Sequence, residues 1–392
     1  MTSAQEITEA QAAELLINWE LAASTAARLA PPGPRLTRRE AAAEVQALRE
    51  AATEAVGHVH QITGLHAARG LGEDTSDVLI VDRAGWSAAN AESFRQMLAP
   101  ALKAAVEKKP ELAKEGSTGQ VVGSAVTGAE LGAVLAFLSA NVLGQFEPFH
   151  QQRLLLVAPN VVDIATQLNV DRADFRLWVC LHEQTHRVQF AAAPWLAEHL
   201  QEQITQLSTN TMGQADSLPQ KLAEAAKQLK AELKGRKDTG HDDASADPSA
   251  EGASSTRPRN RLLEAIQSPE DRAVMSHLTA VMSLLEGHAN VVMDAVDASI
   301  VPSVKTIRRR FNDRGRRRSP LERAVRKLLQ LDMKAAQYRD GQKFVSHIVD
   351  AVGMEAFNTI WEAPQHLPTE DELHQPDLWI QRMGLQGQRS GG

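Results

Sequence analysis

The sequence has a single cysteine, and this scarcity bears on where the protein folds. Cys180 has no partner within the chain of 392 residues, so an internal disulfide is excluded. A fold without disulfides suits a reducing compartment. The first twenty residues also lack the basic segment and apolar core of a secretory signal. Together these absences predict a cytoplasmic protein.

Long apolar runs and a strong charge of one sign are absent as well. The most hydrophobic stretch, residues 128–144, contains Glu130 and is short for a bilayer span. Acidic side chains number 49 and basic ones 42, so the formal net charge is -7. Such a chain has no overall attraction for nucleic acid or for an anionic membrane. We therefore expect a soluble protein without a membrane partner, and any basic site for nucleic acid must be local.

Hydrophobic residues make up 43% of the chain, and their spacing favours helices. Apolar side chains recur every three or four residues from end to end, whereas the alternation typical of strands is rare. Helices are predicted over 5–29 and 38–56, and residues 76–86 and 153–162 are the best strand candidates. The sequence thus predicts one mainly α domain over residues 1–392 with at most a small β-sheet.

One segment of the chain has almost nothing to bury. Residues 235–260 contain no Val, Ile, Leu, Met, Phe, Trp, Tyr or Cys. A segment of this composition cannot offset the entropy lost on ordering. We expect a disordered surface insert within the domain.

The stretch CLHEQTHRVQF, residues 180–190, contains the pattern His-Glu-x-x-His on a predicted helix. His182 and His186 are four residues apart, so they project from one helix face and their imidazoles can bind one cation. Glu183 lies where its carboxylate can reach a water on that cation. The flanking residues are mostly apolar, which indicates a buried helix. A simpler interpretation is a solvated helix surface on which Glu183 pairs with Arg187.

A catalytic zinc needs a third protein ligand from elsewhere in the chain. The apolar helix predicted over 268–296 carries Glu286 and His288, which lie about 200° apart around the helix and cannot both face one ion. The residues alone do not decide whether Glu286 or His288 is the third ligand. Glu286 has Asn290 one turn on and Asp294 two turns on, which would supply supporting polar groups on a shared side.

The zinc motif together with EGHANVVMD resembles the gluzincin type of zinc peptidase. The neighbourhood LHEQTHRVQFAAAPWL is similar to the zincin-like metallopeptidase family (type 2) of actinobacteria and relatives, whose members are often described as hydrolases associated with biosynthesis of a deazaflavin coenzyme. Further similar segments are VDRAGWSAAN (81–90), LLLVAPN (154–160), RRRSPLERAVRKLLQLDMKAAQYRDG (316–341) and GMEAFNTIWEAP (353–364). The resemblance implies His182, His186 and Glu286 as ligands of one zinc ion per chain and Glu183 as the base.

These features predict a zinc-dependent hydrolase, and a peptidase above all. Glu183 would activate a zinc-bound water that attacks the carbonyl of a peptide or protein substrate. His288 and the only tyrosine, Tyr338, are candidates for donating to the oxyanion. Asn290 or Asp294 would orient a ligand.

Two other functions fit parts of the sequence. One is a zinc-binding protein on a zincin scaffold that has no catalytic activity. The other is RNA or phosphate binding through residues 305–319, which include eight Lys or Arg. That stretch has little aromatic character beyond Phe311, so we interpret it as a solvated loop.

Overall fold

The chain folds into packed helices around a short sheet. Our computed structural model describes residues 7–73, 75–110, 118–214, 269–316 and 331–385. The elements in chain order are α1 (Glu9–Leu16), α2 (Trp19–Leu29), α3 (Arg38–Thr63), β1 (Val78–Val81), α4 (Arg83–Lys108), α5 (Thr118–Ser139), β2 (Gly144–Glu147), β3 (Arg153–Val157), α6 (Ala158–Leu168), α7 (Arg172–Ala192), α8 (Leu196–Gln214), α9 (Pro269–Ala295), α10 (Val304–Arg316), α11 (Leu331–Val352), α12 (Met354–Phe357), α13 (Glu370–His374) and α14 (Pro376–Arg382). The prediction of a mainly α fold with a small sheet is confirmed. The predicted insert, residues 235–260, lies outside the described residues.

The sheet has three strands in the order β1-β3-β2, with β3 in the centre. β1 runs parallel to β3 and β2 runs antiparallel to it. Leu154 and Leu156 of β3 belong to the larger core, which includes α3 and α7. Leu155 and Val157 belong to a smaller core with Trp86. The sheet therefore separates two helical layers, and α7 lies on the side of the larger core.

The N-terminal helix predicted over 5–29 is wrong in one respect, because the chain forms two helices there. The Asn18 N–H donates to the Ser124 carbonyl instead of continuing α1, and the Asn18 side chain accepts from the Leu21 N–H at the start of α2. A tertiary contact and a local cap thus interrupt a sequence with helical periodicity.

The prediction of a loop over the basic stretch 305–319 is wrong for its described part, residues 305–316, which belongs to α10. Ile307 is fully buried, and the Phe311 ring lies 5.0 Å from the Trp178 ring of α7, centroid to centroid. The Arg310 guanidinium donates to the carbonyls of Leu168 and Asn169. Packing of an apolar stripe against α7 explains why this charged segment is helical.

Helices α9 and α11 cross with their backbones in contact, at Gly287 and Gly341. A Cβ atom on Gly341 would overlap the carbonyl oxygen of Ser283, and one on Gly287 would overlap the backbone of Gly341. Only glycine on both helices permits this approach. The crossing matters for function because α9 also carries Glu286.

We expect Gly341→Ala to lower the free energy of unfolding by about 1–3 kcal/mol, since the added methyl group must push the helices apart. Gly57→Ala is the matched control, because Gly57 lies within α3 and an added Cβ has no atom within 4 Å. It should raise the stability by about 0.5–1 kcal/mol. Urea denaturation measures both changes, and an equal effect of the two substitutions would contradict this account of the crossing.

No helix within the described ranges is both long enough and apolar enough to cross a membrane.

Candidate metal centre

Helix α7 is held firmly on the side away from its histidines. Its N-terminus is capped by Asp171, whose carboxylate accepts from two backbone N–H groups. Arg176 pairs with Glu44 of α3 at 3.0 Å, and the Gln184 amide donates to the Ala52 carbonyl at 2.9 Å. His186 follows Gln184 by two residues and so projects about 200° around the helix from it. The contacts with α3 therefore fix the direction in which His186 points.

Three potential ligands converge between α7 and α9. The Nε2 atoms of His182 and His186 lie 3.3 Å apart. The carboxylate oxygens of Glu286 lie 4.0 Å from His182 Nε2 and 3.8 Å from His186 Nε2. In the part of the chain that the structure describes, this is the one group of three or more His, Cys, Asp or Glu that could hold a metal ion.

The spacing of the donor atoms fits zinc. Two ligands about 2.0–2.1 Å from a tetrahedral zinc ion lie about 3.3–3.4 Å from each other. The two imidazoles are already at this spacing, at 3.3 Å. The Glu286 carboxylate is about 0.5 Å too far from both rings, which a small side-chain adjustment closes. Two imidazoles and one carboxylate are also a ligand set found in catalytic zinc sites.

The structure brings Glu286, and not His288, to the two imidazoles. His288 is fully buried on another side of α9. Its ring stacks on Phe357 and packs against Trp361, with centroid distances of 5.4 and 5.3 Å. His288 therefore lies behind the ligands and not on a surface that a substrate can reach, which argues against its predicted role as an oxyanion donor.

Burial sets the protonation of the site. It lowers the pKa of His182 to about 4, with a smaller contribution from His186, so this ring is neutral and free to act as a ligand. Burial also raises the pKa of Glu183 to about 8, and the nearby Glu286 carboxylate adds to the rise. A divalent cation beside Glu183 acts in the opposite direction, because a positive charge favours the carboxylate.

The alternative of a solvated Glu183–Arg187 pair is wrong for this structure. Both side chains are buried. Arg187 donates to the Leu71 carbonyl at 3.1 Å and lies 3.7 Å from the Asp77 carboxylate. Glu183 instead packs against β2.

The contact between Glu183 and β2 depends on Gly144, a residue that sequence reasoning missed. A Cβ atom on Gly144 would lie 2.6 Å from Glu183 Cγ and 2.9 Å from its Cδ. Any larger residue would displace the carboxylate of the predicted base. The short strand GQFE gave no sequence signal, because strand pairing is a long-range property.

Of the other predicted site residues, Asn290 and Asp294 lie on α9 and Tyr338 on α11. Asn290 is half-buried on α9, one turn beyond Glu286. Asp294 is exposed, accepts from the Gln342 amide at 2.7 Å and lies 3.7 Å from Arg308. Tyr338 belongs to α11, but its side chain is outside the described part of the structure. Sequence reasoning also missed Gln189, whose side chain contacts His186.

Comparison with known proteins gives a family match over most of the chain. The model of a family described as zincin-like metallopeptidase matches residues 17–380. The chain belongs to this family. As a zincin-like metallopeptidase it is implied to use zinc, and its His182, His186 and Glu286 group could hold the ion.

A solved structure is also similar to this zincin-like chain. It is a crystal structure from Chloroflexus aurantiacus, described as a proposed hydrolase with a novel fold. The two chains are 28% identical, with a TM-score of 0.61, and the match covers 95% of this chain and 100% of that one. Among curated proteins, none matches this sequence.

Proposed function

We propose that the protein is a zinc-dependent peptidase of the cytoplasm. The observation that carries the proposal is the convergence of His182, His186 and Glu286, with Glu183 buried beside them. A metal-binding role alone does not require Glu183 at this position. Because its carboxylate is costly to bury, its burial here indicates a further role. A base beside a metal is what hydrolysis requires.

In this proposal His182 Nε2, His186 Nε2 and the Glu286 carboxylate hold one zinc ion. When bound, zinc supplies Lewis acidity, which acidifies a water molecule and polarises the scissile carbonyl. Glu183 accepts a proton from the attacking water as the new C–O bond forms. It then delivers this proton to the amine nitrogen as the C–N bond breaks. Asn290 is proposed to orient Glu286, and Tyr338 to donate to the oxyanion.

Strand β2 supports a peptide as the substrate. It is an edge strand, paired with β3 alone within the described residues. Its first residue, Gly144, lies against Glu183. An extended peptide can add to a sheet edge through backbone hydrogen bonds. A peptide bound along β2 would pass the proposed base.

RNA binding through residues 305–319 is less well supported than hydrolysis. The described part of this stretch uses arginines within the fold: Arg310 bonds two backbone carbonyls, and Arg308 contacts Asp294 and the Val296 carbonyl. A zinc protein without catalytic activity remains the competing proposal, and an activity assay separates it from a peptidase.

We expect protein purified without chelators to contain about one zinc per chain and to cleave a peptide library. Treatment with 1,10-phenanthroline should abolish cleavage, and added zinc should restore it. Elemental analysis and mass spectrometry of the products measure the two properties. Protein without zinc would contradict the metal centre, and zinc without cleavage would favour the inactive zinc protein.

His277→Gln is the matched control for the zinc count. The Nε2 atoms of His199 and His277 lie 2.7 Å apart, so this pair could also collect metal during purification. It lies on other turns of α8 and α9, away from Glu286. The His277→Gln variant should keep one zinc and full activity.

A further inference from the structure

Gln189 is a buried polar residue one turn beyond His186, and its amide makes three hydrogen-bond contacts. Its side chain is shielded from solvent. Gln189 Oε1 lies 3.0 Å from His186 Nδ1. Gln189 Nε2 lies 2.9 Å from the Leu285 carbonyl oxygen and 2.9 Å from His288 Nδ1. Both ends of the amide are thus engaged, one with α7 and the other with α9.

The Leu285 carbonyl decides which way the amide faces. A carbonyl oxygen only accepts hydrogen bonds, so the amide atom next to it must be the NH₂ group. The oxygen of Gln189 therefore faces His186, and His186 Nδ1 must carry the proton that it donates. The lone pair of the neutral ring is then left on Nε2, the atom that faces His182 and Glu286.

His288 holds the same amide from the other side. Its Nδ1 faces the Gln189 NH₂ group and must accept, so in the neutral ring the proton is on Nε2. The ring is fixed by the stack on Phe357 and by Trp361. This contact gives His288 Nδ1 a hydrogen-bond partner, whereas the buried Nε2 atom of the ring has none among the described residues.

We propose that Gln189 is a positioning residue that keeps the His186 ring in the form with the proton on Nδ1 and thereby directs Nε2 towards the metal. The inference rests on the proposed zinc centre. Gln189 also joins the two ligand helices, because Leu285 immediately precedes Glu286 on α9. A ring oriented before the metal arrives loses less freedom on binding, which strengthens the site.

Gln189→Met tests the role, because methionine has similar length and volume but cannot accept from His186. In the metal-free wild type at pH 8.5, where an ordinary imidazole is neutral, long-range ¹H–¹⁵N NMR should find the His186 proton on Nδ1. In Gln189→Met the proton should move to Nε2, the form that free imidazole side chains prefer. Zinc affinity, measured by competition with a chelating indicator, should fall about 10–100-fold.

His288→Phe is the matched control. Phenylalanine keeps the packing against Phe357 and Trp361 and removes only the acceptor, so the Leu285 carbonyl still orients the amide. We expect the His186 proton to stay on Nδ1 in this variant. A His186→Ala variant assigns the resonance.

The tautomer of His186 in metal-free protein tests the proposed role of Gln189 separately from the proposed zinc centre. A wild-type ring with its proton on Nε2, or a tautomer unchanged in Gln189→Met, would overturn the role of Gln189 even if zinc binds. If the wild type binds no zinc, the zinc centre fails while the tautomer still reports on Gln189. Should Gln189→Met not fold, the wild-type spectrum alone decides.

Discussion

Replacement of Glu183 by glutamine is expected to leave zinc in place and to reduce cleavage of a peptide library about 10²–10⁴-fold. Glutamine has the size of glutamate, so it fits the narrow space beside Gly144, where even an added Cβ would lie 2.6 Å from Glu183 Cγ. Its amide cannot take a proton from water. The chemical step therefore loses its base, while the ligands keep their positions. Metal content and product yield should be measured on one preparation.

Glu198→Gln is the control for this substitution. Glu198 is an exposed acid on α8, so its neutralisation changes the net charge equally without touching the centre. It should cleave like the wild type. Equal activity in Glu183→Gln and the wild type would refute the mechanism, and loss of zinc in Glu183→Gln would show that Glu183 holds the centre together.

The parts of the fold and the site that could be predicted are those set by local geometry. His182, Glu183 and His186 lie within five residues of one helix, so their common direction follows from the helical repeat. The apolar residues around them predicted burial, and Glu183 is 8% exposed in the structure. The residues alone do not decide between Glu286 and His288 as the third zinc ligand. The resemblance to the zincin-like family implies Glu286.

The parts that could not be predicted depend on contacts between distant segments. Gly144 lies against Glu183 because β2 pairs with β3, and a four-residue strand containing glycine has no periodic signal. Gln189 was visible beside the motif, but its role depends on Leu285 and His288, which are 96 and 99 residues away. Helical periodicity likewise does not predict the break between α1 and α2 at Asn18.

Replacement of Glu286 by glutamine is expected to weaken zinc binding at least about 100-fold. Structural zinc sites bind the ion with free energies of about 10–16 kcal/mol, shared among four ligands. Each ligand then contributes about 3 kcal/mol, which corresponds to about two powers of ten in affinity. The neutral amide oxygen is a poor zinc ligand, and two imidazoles then remain. A competition titration with a chelating indicator measures the loss.

Asp294→Asn is the matched control for Glu286→Gln. Asp294 is two turns further along α9, and its carboxylate contacts Gln342 and Arg308. Its neutralisation should leave zinc affinity within about twofold of the wild type, because surface contacts of this kind are weak. A large loss in Asp294→Asn would instead support the sequence-based prediction that Asp294 orients a zinc ligand.

The thermal midpoint gives a second measure of the role of Glu286. A ligand that binds only the folded state stabilises it by about 4.1 kcal/mol at 1,000 times its Kd. Zinc would join α7, through His182 and His186, to α9, through Glu286, so its removal takes away one link between the two helices. Chelation should therefore lower the Tm of the wild type by several degrees and that of Glu286→Gln by about a third as much, because a site about 100-fold weaker gains only about 1.4 kcal/mol at the same zinc concentration. Equal shifts in the two proteins would mean that the metal is held without Glu286, because the variant would still gain the full stabilisation.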